Sequence, residues 1–350
     1  MLFTQAEITI KQVRYADLKI LEDMFTREFG GELDSSIIRQ RIHRLHQFYF
    51  LLLPLRQVSP WIKNFFTIYI IRVRGHIAGF LQISYLNHRQ IHLDYFTISK
   101  HYRGQGIGSQ VLQKFLAEAA DQQGHDVVLE VRTDNPAYRL YRRLGFSSQA
   151  QVIHYSIQFP NTGADRPVEA LDGFRVLQPS DRPQLFGLYR ASISRRLQRF
   201  IRRCYREFNP SLFIRNLEWI KNRLMHNTKR EYVLIRDDRT VASLDIRSYE
   251  KSHTHFISMM LHPAYEKLRG ELLGQVLTIL QAKYGQGTAY TTVYDDMIDK
   301  QQALERMGFV RQDTYYVMLR PMIMENFRNG KGLGRPVPSK QRFTLHRNDS

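Results

Sequence analysis

Cysteine is almost missing from this 350-residue chain. Cys204 stands alone, which excludes an intrachain disulfide and a zinc site built from cysteines. A reducing compartment is therefore expected, with no metal. Long apolar runs are also missing. The longest, Phe48–Leu55, is interrupted by Pro54 and falls well short of the ~20 residues of a spanning helix. The opening MLFTQAEITIKQVRYAD has no basic region leading into an apolar one, so no signal peptide is expected. These absences point to a soluble, cytoplasmic protein without a transmembrane segment. Acidic residues are in deficit, 33 Asp+Glu against 51 Lys+Arg, for a net charge of +18. That surplus favours an anionic partner (nucleotide, acidic protein surface, nucleic acid or anionic lipid) without choosing among them. What is plentiful is core material: 43% of residues are hydrophobic and 12% aromatic, which excludes wholesale disorder. The length fits two domains.

A repeat organises the chain. Leu140-Tyr-Arg-Arg-Leu-Gly-Phe146 and Ala303-Leu-Glu-Arg-Met-Gly-Phe309 end alike, and each leads into a polar-then-aromatic strand. Two further stretches begin alike, each with a strand followed by a helix-capping aspartate, Asp17 or Asp181. Asp17 to Gly145 and Asp181 to Gly308 agree in length to within one residue. Matched ends at matched spacing indicate duplication. The expected organisation is a first domain over 1–159, a Pro/Gly/Asp-rich linker over 160–173, a second domain over 174–320, and a basic, disordered tail over 321–350.

Within the first copy the patterns predict a strand at 8–13, helices at 17–29 and 35–47, and strands at 66–72, 77–85 and 92–99. A Gly-rich loop, a helix from Ser109, a strand at 127–131, a short helix at 137–144 and a strand near 152–157 follow. The fold class is mixed α/β (α+β). The chemistry concentrates in His92–Gly108, HLDYFTISKHYRGQGIG. Glycine there lets backbone N–H groups form a concave nest without side chains in the way. The start of the next helix adds its positive end, and Arg103 adds charge-assisted bonds. Such a loop suits a pyrophosphate.

Strand, R-x-x-G-x-G, helix, LEVR and LYRRLGF in that order resemble the GNAT superfamily of acyl-CoA-dependent N-acetyltransferases. The likeness covers the first copy and is most specific over Leu93–Phe146. It implies two tandem GNAT-like domains, each a central mixed sheet flanked by helices. It also implies acetyl-CoA as cosubstrate, bound by Arg103, Gly104, Gln105, Gly106, Ile107, Gly108 and Ser109. Phe96, Thr97 and Ile98 would pair with its pantetheine arm, and Asn135 or Asp134 would take the family's Asn position. The interval from Glu130 to Tyr141 is one residue shorter than in the relatives, which leaves Asp134 and Asn135 both open.

Chemistry adds the catalytic candidates. The acceptor amine must lose a proton to attack. Glu130 lies in the apolar strand VVLEV, where desolvation would raise its pKa. Asp94 shares a face with Phe96 and Ile98 by period-two alternation. A strand N–H near Phe96 would stabilise the oxyanion, and Tyr141 is the family-matched donor to the leaving thiolate.

In the second copy one glycine, Gly270, remains where three stood. Glu271 opposes a phosphate, Leu304 replaces the tyrosine, and AYTTVYDD has no counterpart of Glu130. That copy reads as a GNAT-like fold without a cosubstrate site, completing the acceptor cleft or presenting substrate. Ala191–Phe208 reads as one helix with apolar residues at 193, 197, 201, 204 and 208 and arginines from Arg195 to Arg206 on the other face. It is either a surface helix packed on the second domain or a platform for an anionic partner. The resemblance puts the aromatic run 48–66 where GNAT domains place acceptor-facing segments, so it either shapes the acceptor pocket or belongs to the core. The reading is an acyl-CoA-dependent N-acyltransferase acting on an unidentified amine, small or protein-borne. The alternatives are a non-catalytic CoA sensor or adaptor, and a nucleic-acid- or membrane-associated protein.

Overall fold

The computed structural model describes residues 8–29, 67–87, 89–117, 125–160, 171–201, 203–224 and 227–321. The expected helix at 35–47, the aromatic run at 48–66, most of the linker and nearly all of the tail lie outside the described residues. The chain forms two compact units. The first draws on 1–130, 136–147 and 319–350, the second on 131–135 and 148–318.

In the first unit the strands run in the order β1 (Ile8–Gln12), β2 (Ile68–Val73), β3 (His76–Asn87), β4 (Gln90–Ile98), β5 (Asp126–Arg132). Neighbours from β1 to β4 are antiparallel, and β4 and β5 are parallel. The β2–β3 turn uses Arg74 and Gly75, both at positive φ (50° and 83°), the twist that a two-residue hairpin prefers. The helix α1 (Leu18–Phe29) buries Leu18, Leu21, Met24 and Phe25, with Phe25 edge-on to Tyr95 of β4 at 5.3 Å. The connection from β4 to β5 carries α2 (Ile107–Phe115), whose Val111, Leu112 and Phe115 are buried as their spacing predicts. This helix starts two residues ahead of the expected Ser109, because Gly106 takes the position before it at φ 76°. A short α3 (Ala137–Arg143) follows β5.

In the second unit the order is β12 (Val310–Arg320), β6 (Ser147–Phe159), β11 (Gly287–Tyr294), β10 (Thr254–Leu261), β9 (Arg239–Tyr249), β8 (Asn227–Arg236), β7 (Phe174–Val176). Here repeat and unit part company. The strand β6 closes the first repeat, yet Val152–Phe159 pair antiparallel with Tyr294–Gly287 of β11. Its Ile153, Tyr155 and Phe159 enter the core of Leu244, Leu272, Val276 and Val293. A boundary at 159 therefore marks the end of the repeat, and the compact unit begins about one strand earlier.

Duplication is visible in local geometry. Asp17 accepts the Arg14 N–H (3.0 Å) and holds Arg72 (2.6 Å). Asp181 accepts the Gln178 N–H (2.7 Å) and grips Arg175 through both oxygens (2.7 and 2.9 Å). Each aspartate is buried and ends a 3-10 turn. The Arg175 bonds hold the Asp181 carboxyl below its usual range, so they stabilise the fold at neutral pH and the contribution is lost on acidification. The turns after α3 and after α9 (Ile298–Arg306) close identically: Gly145 and Gly308 take φ 88° and 84°, and Phe146 N and Phe309 N bond back to Tyr141 O and Leu304 O at 3.1 and 3.0 Å. Glycine is the residue that a left-handed helix end selects.

The single basic helix expected at 191–208 is not formed. The helix α4 (Arg182–Ser192) stops where Ile193 turns extended (φ −120°, ψ 149°). Ser194 then starts the one-turn α5 (Arg195–Gln198), accepting from Leu197 N at 3.3 Å. A second one-turn piece, α6 (Tyr205–Phe208), follows. Arg196 pairs with Asp295 at 2.5 Å, and Arg203 with Glu207 at 2.9 Å while lying over the Phe208 ring. Part of the cationic face is thus neutralised within the fold.

Candidate active site

In the first unit the parallel pairing of β4 with β5 runs from Gln90–Asp126 to Leu93–Leu129. Beyond that pair β4 continues to Ile98 and β5 to Arg132. On its other side β4 stays laddered to β3, with Phe96, Thr97 and Ile98 opposite Leu81, Phe80 and Gly79. This leaves the β5-side edge at Phe96–Ile98 as a strand edge without a described partner strand, suited to a ligand that offers amide groups.

The loop follows directly. Arg103 is anchored by a bond from Nε to Ile98 O at 2.7 Å. Gly104 and Gly106 sit at φ 75° and 76°, and a Cβ on Gly104 would meet nothing within 4 Å. Glycine is needed there for conformation, and the space outside it is open. Gly108 differs: its Cβ would lie 3.6 Å from the Phe96 ring, an ordinary contact, so its use is closeness to β4. No side chain caps α2, so the amides of its first turn point outward from a positive helix end. The cradle fits a diphosphate. Two of the expected binding residues have other duties: Gln105 bonds back to His101 O at 3.0 Å, and Ile107 is buried in the core. Ser109 is half-buried inside the first helical turn.

A polar cluster lies on the same two strands. The β3–β4 register jumps from Ile83–Leu93 to Gln82–Tyr95, so Asp94 is the extra residue of a β-bulge. Bulges re-aim side chains, and this one overturns the alternation argument. Asp94 accepts from Ser84 Oγ at 2.5 Å and meets His92 Nδ1 at 2.8 Å. Its carboxylate therefore lies on the face of Ser84 and His92, opposite to Phe96 and Ile98. Glu130 is exposed, so the desolvation that its apolar strand predicted is not present. His92 and Ser84 are what the sequence reading missed. The signal was there: His92 and Asp94 stand two apart on a strand and so share a face.

Tyr141 is buried on α3, edge-on to Phe146 at 5.7 Å. Burial pushes its phenol up to about 12, which keeps it protonated and able to donate. Residues 131–135 belong to the second unit. There Arg132 grips Asp134 through both oxygens at 3.1 and 3.0 Å, and Asn135 is exposed.

Comparison with known proteins shows what part of the chain is similar to. A profile described as "Acetyltransferase (GNAT) family" matches residues 32–146. That segment is similar to the GNAT family. The fold likeness runs further than the profile. A GCN5-related N-acetyltransferase from Sphaerobacter thermophilus is similar with a TM-score of 0.60 at 14% identity, over 90% of this chain and 97% of that one. A tandem GNAT protein from the clavulanic acid biosynthesis pathway gives 0.57 at 13%, over 90% and 98%. A putative acetyltransferase from Pyrococcus horikoshii gives 0.54 at 13%, over 93% and 92%. At these identities the likeness is one of fold, and it spans both units. No curated protein matches the sequence.

The second GNAT-like unit keeps the frame and changes the contents. The parallel pairing of β10 with β11 covers only Thr254–Phe256, and the β9–β10 register runs through without a bulge. Where the GNAT loop of the first unit has Arg103, the spacing carried back from Gly308 lands on Glu266. Both oxygens of Glu266 hold Arg269, the residue that opens α8 (Arg269–Tyr284). Gly270 adopts no positive φ. Half-buried Lys300 donates to Thr292 O of β11 at 3.1 Å, and burial, with Arg269 nearby, lowers its ammonium to about 8. The two positive-φ glycines of the first unit's loop have no counterpart at the head of α8.

Proposed function

We propose that the chain is an acyl-CoA-dependent N-acyltransferase, most simply an N-acetyltransferase, with its transfer site in the first unit and a second unit that binds no cosubstrate. One observation carries this reading. The bare-amide cradle of Gly104 and Gly106 at the head of α2 adjoins the unladdered edge at Phe96–Ile98, and the second unit has no positive-φ glycine at the head of α8. Acyl-CoA supplies an activated acyl group when bound. The chain's own residues do the rest. Amides from Gly104 to Ser109, together with Arg103, hold the diphosphate. The backbone of Phe96, Thr97 and Ile98 aligns the arm, and an N–H near Phe96 faces the carbonyl oxygen. Tyr141 gives a proton to the departing sulfur, and the cluster around Asp94 and Glu130 takes one from the amine. The acceptor is a primary amine, and the anionic partner that the charge favours is the cosubstrate itself.

A thermal-shift series with acyl-CoAs, followed by thiol release from acetyl-CoA, tests the reading. The amines are free lysine, spermidine, an aminoglycoside and a peptide with a free α-amine. Acetyl-CoA should raise the melting temperature, and at least one amine should release thiol above the amine-free rate. Stabilisation without release favours the sensor alternative. Neither effect overturns both readings.

A further inference from the structure

We infer that His92 is the group that accepts the proton of the attacking amine, with Asp94 and Ser84 as the residues that position it. The inference rests on the transferase reading and specifies the base within that site.

The geometry sets the roles. Asp94 Oδ1 is 2.8 Å from His92 Nδ1, and Asp94 Oδ2 receives the Ser84 hydroxyl at 2.5 Å. Ser84 and His92 are direct partners across β3 and β4. With Nδ1 carrying a proton to the carboxylate, Nε2 is the acceptor that remains, and the imidazole side chain is 24% exposed. An aspartate that fixes the tautomer and steadies the imidazolium is what a histidine base needs. Two residues apart on β4, His92 and Asp94 share one face, and the bulge that follows turns Phe96 and Ile98 to the other.

The second unit supplies a natural comparison. His255 lies on β10 directly opposite Ser248 of β9, with its Nδ1 2.8 Å from the Ser248 hydroxyl. No bulge is present, and Ile257 stands two residues on, where Asp94 stands in the first unit. His255 is fully buried, its Nε2 has no hydrogen-bond partner among the described residues, and a Cβ on Gly287 would lie 2.9 Å from that atom. Burial drops this histidine to about 4. The same Ser–His pair is thus sealed and uncharged in one unit, and in the other is opened and given a carboxylate.

Among the described residues, the groups facing His92 are Ser84 from β3, Asp94 from β4 and Glu130 from β5. Burial lowers its pKa, while the Asp94 bond and the two carboxylate charges raise it, for a net rise above 6.5. A base must be neutral to accept a proton, so turnover falls as pH drops through this raised value.

The test is a pH profile of thiol release from acetyl-CoA with the most active amine of the panel above, run on the intact chain. A histidine NMR titration accompanies it. His92→Gln is expected to cut kcat about 10²-fold or more and to remove the acidic limb, leaving the KM for acetyl-CoA within about twofold. Asp94→Asn is expected to cost less and to move the limb to lower pH, along with the His92 resonance. If Asp94 is itself the base, Asp94→Asn removes the limb and His92→Gln keeps it, which overturns the assignment. A His92→Gln protein with wild-type rate and profile overturns it too. A wild type that binds acetyl-CoA and releases no thiol with any amine overturns the transferase reading, and this assignment with it.

Discussion

Gly79→Ala is expected to unfold or loosen the first unit more than any other single methyl group added to it. A Cβ at that position would lie 2.2 Å from the Thr97 carbonyl oxygen and 3.2 Å from Ile98 Cα. Both are backbone atoms of β4, which cannot swing aside as a side-chain tip can. To admit the methyl, β3 and β4 must separate by about 1 Å where Gly79 faces Ile98. Overpacking in a well-packed region costs about 1–3 kcal/mol and sometimes more. We expect the upper end, with a melting temperature lower by roughly 6–12 °C for a unit of this size. The same displacement moves Thr97 and Ile98, so CoA affinity should fall alongside stability. Calorimetry of wild type and variant checks this. A melting temperature within about 2 °C of wild type would mean that β3 and β4 do not approach as described.

Tyr141→Phe is expected to act on chemistry alone. The side chain is buried against Phe146, and phenylalanine fills the same volume, so folding should survive. The phenol is held at about 12 by desolvation, which makes it a proton donor throughout the working range and rules out its ionisation as the source of any neutral pH limb. Removing a positioned general acid typically costs 10²–10⁴-fold in rate. We expect kcat to fall at least about 10²-fold while the CoA dissociation constant stays within about twofold. Turnover equal to wild type would reduce Tyr141 to a packing residue. Leu304 already plays that part in the second unit, buried at the matching place before Gly308.

Much of the fold was legible in the residues because local physics fixed it. Gly145 and Gly308 sit at helix ends that only a left-handed residue closes well, and Asp17 and Asp181 make the same bond to the amide three residues back. Val111, Leu112 and Phe115 needed one face of a helix, and Gly104 and Gly106 needed positive φ. The rest depended on pairing, which periodicity does not encode. The alternation of Ile153, Tyr155 and Phe159 shows that β6 has a buried face, and says nothing about the neighbour being β11. The bulge at Asp94 shifts alternation by one residue, so a count of two from Phe96 placed the carboxylate on the wrong face. The apolar spacing from Ile193 to Phe208 continues through a break that Ser194 makes by capping a new turn. A serine in that position was the one local cue. Glu130 looked buried from its apolar neighbours in sequence, while its side chain points outward.

The central claim is that the chain binds one coenzyme A, on the bare amides at the head of α2. Isothermal titration of CoA into wild type, Gly106→Glu and Gly270→Glu measures this directly. The account predicts one site per chain in wild type, no detectable binding in Gly106→Glu, where a charged side chain at positive φ enters the cradle, and unchanged binding in Gly270→Glu. Two sites per chain, or a Gly106→Glu protein that binds as wild type does, would contradict it.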